Sequence, residues 1–228
     1  MTTQTLSPYT MSAEQKQKIT PGLKFWNGAA RKYAKSKISD VAGYRRSLAR
    51  TRDYLSADDH VLELGCGTGS TALEHAPHVQ HITGTDLSDE MIAIANEKVV
   101  ADGPINAEFV VAEADNLPFA NQSFDAVMAH NLLHLVTDID DALKAAKRVV
   151  KKNGFLISKN PCLGEMNPLM KNIVLPIMRR FYGIPVLHTF TIEEHKEAII
   201  RAGFTIEEVE FHGTKGKDYR PFIVARAN

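Results

Sequence analysis

Apolar residues fall along this chain in two alternating rhythms. Short unbroken runs, Val61-Leu62-Glu63-Leu64 and His81-Ile82-Thr83-Gly84-Thr85-Asp86, are too brief for helices and are bounded by glycine or charge. They read as buried strands of a parallel sheet. Ser123-Phe124-Asp125-Ala126-Val127 and the stretch from Gly154 to Lys159 repeat that pattern as a fourth and a fifth strand. Between such runs, apolar residues return every three or four positions: Met91, Ile94 and Ala95 in one stretch, Ile139, Leu143, Ala146 and Val150 in another. That is the spacing of a helix with one buried face. Strand and helix alternate in this way from His60 to Pro161, which predicts an α/β domain built from βαβ units.

Local signals mark several ends. Ser88 precedes Asp89 and Glu90, so a helix capped by a serine hydroxyl, with acids in its first turn, is expected there. Thr191-x-x-Glu194 reads as a capping box, and Gly203 as the stop of a helix whose apolar face is His195, Ala198, Ile199 and Ala202. Two strands, about 204–211 and 220–227, close the chain. Residues 1–22 are polar, rich in Thr, Gln and Ser, and read as a mobile tail. The rest, 23–228, reads as one domain: a cap of two helices over 23–57, a core over 58–161, an insertion over 162–190, and a final helix with its strand pair over 191–228. Phe25, Trp26 and Tyr33 anchor the cap. In the insertion, Met166, Met170 and Met178 stand among aliphatic residues, with Pro168 suited to a first helical turn and Pro176 to a kink.

Composition narrows the class. A chain of 228 residues with 44% apolar content can bury the core of one α/β domain. No run approaches the roughly 18 apolar residues of a membrane span, and the N-terminus has no basic-then-apolar secretory pattern. Cys66 and Cys162 are the only cysteines, so a disulfide scaffold is not expected, and the expected compartment is the cytoplasm. A formal net charge of +0 argues against a general nucleic-acid binder. The charge is uneven, however: between Lys24 and Arg52 lie nine Lys or Arg residues and one acid, Asp40. That segment is either a solvated helical face or a footprint for phosphate, anionic lipid or an acidic substrate.

The chemistry concentrates where the first strand ends. Gly65-Cys66-Gly67-Thr68-Gly69 follows that strand directly, and glycines there let the backbone turn sharply and approach a ligand. Asp86 ends the next strand, where a carboxylate can accept from both hydroxyls of a ribose. Strand, glycine loop, helix, strand and acid make a βαβ nucleotide site. The dinucleotide fingerprint G-x-G-x-x-G fails from Gly65, where its last position is Ser70, but Gly67-x-Gly69-x-x-Ala72 is a permitted match.

Wider context resembles a different family. Glu63-x-Gly65-x-Gly67-x-Gly69 is similar to the first motif of the class I S-adenosylmethionine-dependent methyltransferases, particularly the small-molecule and quinone-biosynthesis type. Thr85-Asp86-Leu87-Ser88 to Met91 resembles that family's ribose-binding acid and following helix. Glu113-Ala114 with Leu117-Pro118-Phe119 resembles its Asp-Ala…Leu-Pro-Phe segment, with Glu replacing Asp. Ser123–Val127 resembles its fourth strand, and Val149-Val150-Lys151-Lys152-Asn153-Gly154 stands where it has Val-Leu-Lys-Pro-Gly-Gly. The resemblance implies a Rossmann-like α/β fold: a seven-stranded, mostly parallel sheet with helices on both faces, an antiparallel last strand beside the fifth, and an N-terminal helical cap. It implies S-adenosylmethionine as cofactor and S-adenosylhomocysteine as product. The cofactor residues it implies are the loop Gly65, Cys66, Gly67 and Gly69, Glu63 near the amino-acid tail, Asp86 and Leu87 at the ribose, and Met91, Glu113 and Ala114 at the adenine. Tyr33 would close over the cofactor.

For the reacting end, the segment after the fourth strand reads Ala129-His130-Asn131-Leu132-Leu133-His134. It lacks the Asn/Asp-Pro-Pro-Tyr motif of methyltransferases acting on adenine or glutamine. His130 is the candidate base and a cofactor contact, with His134 a second candidate; the alternative is a histidine that orients the loop. His75-x-x-His78-x-x-His81 has metal-like spacing, but Pro77 breaks the helix and no carboxylate or cysteine completes the set, so no metal is expected. Cys162 is either a small buried hydrophobe or a substrate contact. The insertion over 163–190 would line an apolar substrate pocket as a lid, or form a homodimer interface, or touch a membrane. The expected activity is methyl transfer to a small, partly apolar acceptor at O, N, S or C, without a nucleic-acid partner. A macromolecular acceptor, a non-catalytic cofactor sensor and a dinucleotide enzyme stay open as alternatives.

Overall fold

The computed structural model describes residues 13–102, 104–169, 173, 176, 177 and 187–228. Strand β1 (His60–Leu64) has four of its five residues buried, as a strand covered on both faces must. It pairs in parallel with β2 (His81–Asp86) on one side and β4 (Phe124–His130) on the other. β3 (Ala107–Val111) extends the first edge, and β5 (Val150–Lys159) lies beyond β4. β7 (Pro221–Ala227) inserts antiparallel between β5 and β6 (Phe204–Phe211), giving the order β3-β2-β1-β4-β5-β7-β6. The seven-stranded sheet, its one reversed strand and its place beside the fifth all match the expected fold. The order reverses between β1 and β4, and the carboxyl ends of those strands are where open α/β sheets bind ligands.

Side chains alternate across the strands into two apolar layers. Leu62, Leu64, Val127, Ala129, Leu156 and Ile223 face α5 (Ile139–Val149) and α6 (Ile192–Arg201). Val61, Ala126, Met128, Ile157 and Val224 face the opposite layer, with Ala72 of α3 (Ser70–His75) and Ile92 and Ala95 of α4 (Asp89–Asp102). The capping box of α6 is present, and Gly203 follows the helix at φ 91. Ser88 caps α4 by accepting from Met91 N at 3.1 Å.

Two expected boundaries move. Helix α1 runs from Ala13 to Ala34 rather than starting near Phe25, so residues 13–22 of the expected tail are helical. Ala13-Glu14-Gln15-Lys16 are strong helix formers with no apolar face, so periodicity could not reveal them. Residues 1–12 lie outside the described residues. Val150, assigned above to the helical stripe, instead begins β5, which bulges against β4 between Phe124 and Ala126.

The cap packs as two helices. α1 docks on α4: Ala30 is buried with Met91 and Ile94, Asn27 bonds Asp89 and Ser88, and Arg31 grips Glu97 with both nitrogens at 2.7 Å. α2 (Val41–Arg52) is capped by Asp40, whose carboxylate also takes Thr214 N and Oγ1, tying the helix to the loop before β7. Of the insertion, residues 170–172, 174, 175 and 178–186 lie outside the described residues, and the expected lid or dimer helix falls largely on them.

Candidate cofactor and acceptor site

After Leu64 the chain turns at Gly65, φ 61, and Gly67, φ 55. A Cβ at Gly65 would sit 2.5 Å from Leu132 Cδ1, so the loop and the segment after β4 touch only because glycine is there. At Gly67 the nearest atom to an added Cβ is Tyr33 Cε1 at 3.7 Å; the bare backbone faces open space. Cys66 N donates to Thr85 O at 2.8 Å, pinning the loop to β2. Asp86 completes the turn, accepting from Gly67 N at 2.9 Å and from Ser88 N at 2.8 Å. One carboxylate thus joins the glycine loop to the start of α4.

A cavity of about 450 Å³ opens above this turn. Tyr33, Glu63, Gly65, Cys66, Gly67 and Asp86 line it, and so do Leu87, Met91, Glu113, Ala114 and His130. Two expected residues do not. Gly69 sits one step further on as the left-handed N-cap of α3, where an added Cβ would meet the Phe109 ring at 2.6 Å; it shapes the loop from behind. His134 is also off the wall, because the chain reverses at Asn131, φ 53, and Leu135 N donates back to Leu132 O. Its carbonyl instead accepts from His188 N at 2.8 Å, bringing His188 to the cavity.

Burial sets the electrostatics. Glu63 is buried, takes the Ala72 backbone N–H on its carboxylate, and leaves Oε2 without a partner among the described residues. Burial first, then Asp86, raises its pKa to about 8. Asp86 is raised too, mainly by burial, against the pull of its two backbone donors. Tyr33 is half-exposed, and its phenol is raised by partial burial and by Glu63 and Asp86. His130 is lowered to about 3 by burial, then by His75 and Lys159, and its Nε2 has no partner among the described residues. Its imidazole is neutral near pH 7. Cys66 and Cys162 are buried thiols, the latter raised to about 12 by burial and Glu165, so neither is a nucleophile at neutral pH.

One buried device carried no motif. Asn160, fully buried one residue past β5, accepts from Leu132 N at 2.7 Å and Leu133 N at 2.8 Å and donates to Ala129 O at 2.8 Å and Ser158 Oγ at 2.9 Å. Ser158 meets His195 Nε2 at 3.1 Å, and Cys162 Sγ lies 3.9 Å from His195 Nδ1. This network holds the segment carrying His130 and Leu132 against the glycine loop. Only its place at a strand's carboxyl end could have flagged Asn160. Trp26, which stacks edge-on with Tyr33 at 6.2 Å, and Thr71 line the cavity as well. Among the described residues no three His, Cys, Asp or Glu side chains cluster as a metal site; His75 is buried in α3 and His78 follows it in a 3-10 turn.

The cavity suits a cationic nucleoside. Two carboxylates bracket a glycine cradle, one of them with an unused buried oxygen, and Met91 and Ala114 offer an apolar slot. The comparisons agree with that class. Residues 61–154 match the family model described as a methyltransferase domain. The chain is 32% identical over 159 residues to the ubiquinone/menaquinone biosynthesis C-methyltransferase UbiE of Desulfotalea psychrophila, covering 68% of this chain and 60% of that protein. It is 35% identical over 98 residues to the uncharacterized methyltransferase YcgJ of Bacillus subtilis, covering 43% of this chain and 39% of that protein. The crystal structure of YcgJ superposes with a TM-score of 0.65 at 25% identity, covering 73% of this chain and 71% of that one. The two sequence matches thus span less than two thirds of those relatives' lengths. In fold and over the matched domain the chain is similar to the class I S-adenosylmethionine-dependent methyltransferases, and S-adenosylmethionine is the cofactor of that family.

Proposed function

We propose that the chain transfers the methyl group of S-adenosylmethionine to a small, partly apolar acceptor. The observation that carries this reading is a single cavity with two different ends. The first two strands and their loop supply Glu63, Gly67 and Asp86, which we take as the cofactor end; the end of β4 and the segments beyond it supply His130, Leu132, Leu135, Val136 and His188, which we take as the acceptor end. Asp86 accepts from the ribose hydroxyls while its backbone bonds hold the loop. The free oxygen of Glu63 receives the amino-acid ammonium, which favours the ionised carboxylate. Met91 and Ala114 flank the adenine, and Glu113 accepts from its amino group. Tyr33 and Trp26 of α1 cover the mouth.

Bound in this cavity, the cofactor supplies an electrophilic methyl on a sulfonium, so alignment of the acceptor carries much of the rate. Neutral His130 beside that cation adds no like-charge repulsion. With its pKa at about 3, it is too weak a base to take a proton efficiently near pH 7, so its role is to orient the acceptor rather than to deprotonate it. The UbiE similarity supports a ring acceptor methylated at carbon, with O, N and S alternatives. A cytoplasmic site of action goes with this reading; among the described residues no helix is long and apolar enough to cross a membrane. Within the basic segment Arg31 pairs with Glu97 and Arg50 with Asp53, Glu208 and Glu210, which occupies two of its nine cations. Purified protein, methyl-labelled cofactor and a cell extract test the proposal. Label in the small-molecule organic fraction supports it; label only in protein or nucleic acid overturns it.

A further inference from the structure

Lys159 ends β5, paired in register with His130 of β4. Residues paired across neighbouring strands project to the same face of the sheet, so Lys159 shares with His130 the side that α2 and α3 cover. Its ammonium donates to Ser47 Oγ of α2 at 2.6 Å. It makes no ion pair among the described residues, although it is half-buried and burial lowers its pKa. The two acids that act on it are spent. Asp40 accepts from Gly43 N, Thr214 N and Thr214 Oγ1; Asp218 accepts from Gly213 N and from Arg220 N and Nε. Arg220 and Arg46 add positive charge around the same point.

The lysine is also aimed. Burial lowers His212 below the ordinary imidazole value, so the ring is neutral. Its Nε2 then donates to Glu210 Oε2 at 2.9 Å, and its Nδ1 lies 3.0 Å from Ser47 Oγ. Arg50 Nε holds the other Glu210 oxygen at 2.7 Å. Ser47 Oγ also lies 3.0 Å from Gly43 O, and with its one proton on that carbonyl or on His212 the serine still presents a lone pair to Lys159. Partly desolvated and with one side-chain partner among the described residues, the ammonium would gain more from a nearby anion than a fully hydrated lysine does.

We infer that Lys159 is an anion-binding residue of the acceptor subsite, and that the acceptor carries an anionic oxygen: a carboxylate, or an ionised phenol or enol. This rests on the methyltransferase reading above. Lys159 is not on the wall of the cofactor cavity; it stands one strand beyond His130, where an acceptor reaching past that residue would place its charge.

Calorimetry on the full chain loaded with S-adenosylhomocysteine tests it, using matched probes: 4-hydroxybenzoate against 4-hydroxybenzamide, 2-naphthoate against 2-naphthamide, and 4-nitrophenolate against 4-nitroanisole. At least one anion should bind about tenfold or more tighter than its neutral partner, the range of one charge-assisted hydrogen bond. Which pair does so separates carboxylate from phenolate. Lys159→Met should abolish the preference and Lys159→Arg retain part of it, with S-adenosylhomocysteine affinity unchanged in both. If the Met variant does not fold, Lys159→Gln takes its place. Anions and neutral partners that bind alike, or not at all, overturn the inference, as does a preference that survives the loss of charge. Failure of the wild type to bind S-adenosylhomocysteine would instead bring down the methyltransferase reading, and this inference with it.

Discussion

The two ends of the cavity are built by opposite means. The cofactor end is made largely of backbone from one contiguous stretch: the Gly65–Gly67 turn, its bond from Cys66 N to Thr85 O, and Asp86 receiving Gly67 N and Ser88 N. The proposed acceptor end is held by side chains that meet only in the fold: Asn160 on Leu132 and Leu133, and His188 on Val136. A backbone cradle serves any methyltransferase that binds the same cofactor, whereas dispersed side chains can change with the acceptor.

The sharpest way to break this division is at its strongest single residue. Asp86→Ala removes two predicted ribose bonds and two observed loop bonds, so S-adenosylhomocysteine affinity should fall about 100-fold or more by calorimetry, with the circular dichroism spectrum retained. Unchanged affinity would remove Asp86 from the site. Asn160→Ala strikes the other end. It strands two buried N–H groups and one carbonyl, which should lower stability by about 2–4 kcal/mol in a denaturant melt. Turnover should fall further than cofactor affinity; equal losses of both would make Asn160 a general core residue.

This division also explains what could be read from residues alone. The seven-stranded sheet with its reversed strand beside the fifth, and eleven of the twelve expected cofactor residues now at the cavity, came mainly through the family resemblance, and the segments that carry it have local patterns: apolar runs, a glycine triplet, an acid ending a strand. Gly69 was legible as part of the loop but not as a residue behind it, since only the packed Phe109 ring reveals its side. Asn160, Lys159 and His212 carried no periodic or spacing signal, because the partners that place them, Leu133 for Asn160 and Ser47 for the other two, lie 27 to 165 positions away. The start of α1 at Ala13 was hidden for a different reason: its helix formers are polar and leave no stripe.

Acidity offers a subtler comparison, between Glu63 in the cavity and the histidines buried in the flanking helices. Glu63 titrates at about 8 in the folded chain against an ordinary 4.5. Below 4.5 it is protonated whether folded or not. Between about 4.5 and 8 the unfolded chain ionises first, so Glu63's contribution to the stability of the ligand-free protein falls as pH rises through that window. Glu63→Gln should remove this alkaline loss in a melting-temperature profile. His75 and His195 run the other way. Both are buried and held at about 4 against an ordinary 6.5, so stability falls as pH drops from 6.5 toward 4. His75→Gln should flatten part of that acid limb. The smallest effect belongs to His130→Ala, where turnover should drop about tenfold, the order of one lost orienting contact. Wild-type rate should show no inflection near pH 6.5 from this residue; one that vanishes in the variant would restore His130 as the base.

The most direct test is a calorimetric titration of the purified chain with S-adenosylmethionine near pH 7, repeated in buffers of different ionisation enthalpy. One-site binding is expected, with net proton release as the ammonium draws Glu63 into its ionised form, and loss of that proton in Glu63→Gln. No binding of S-adenosylmethionine, or tight binding of a nicotinamide dinucleotide in its place, would contradict the methyltransferase reading.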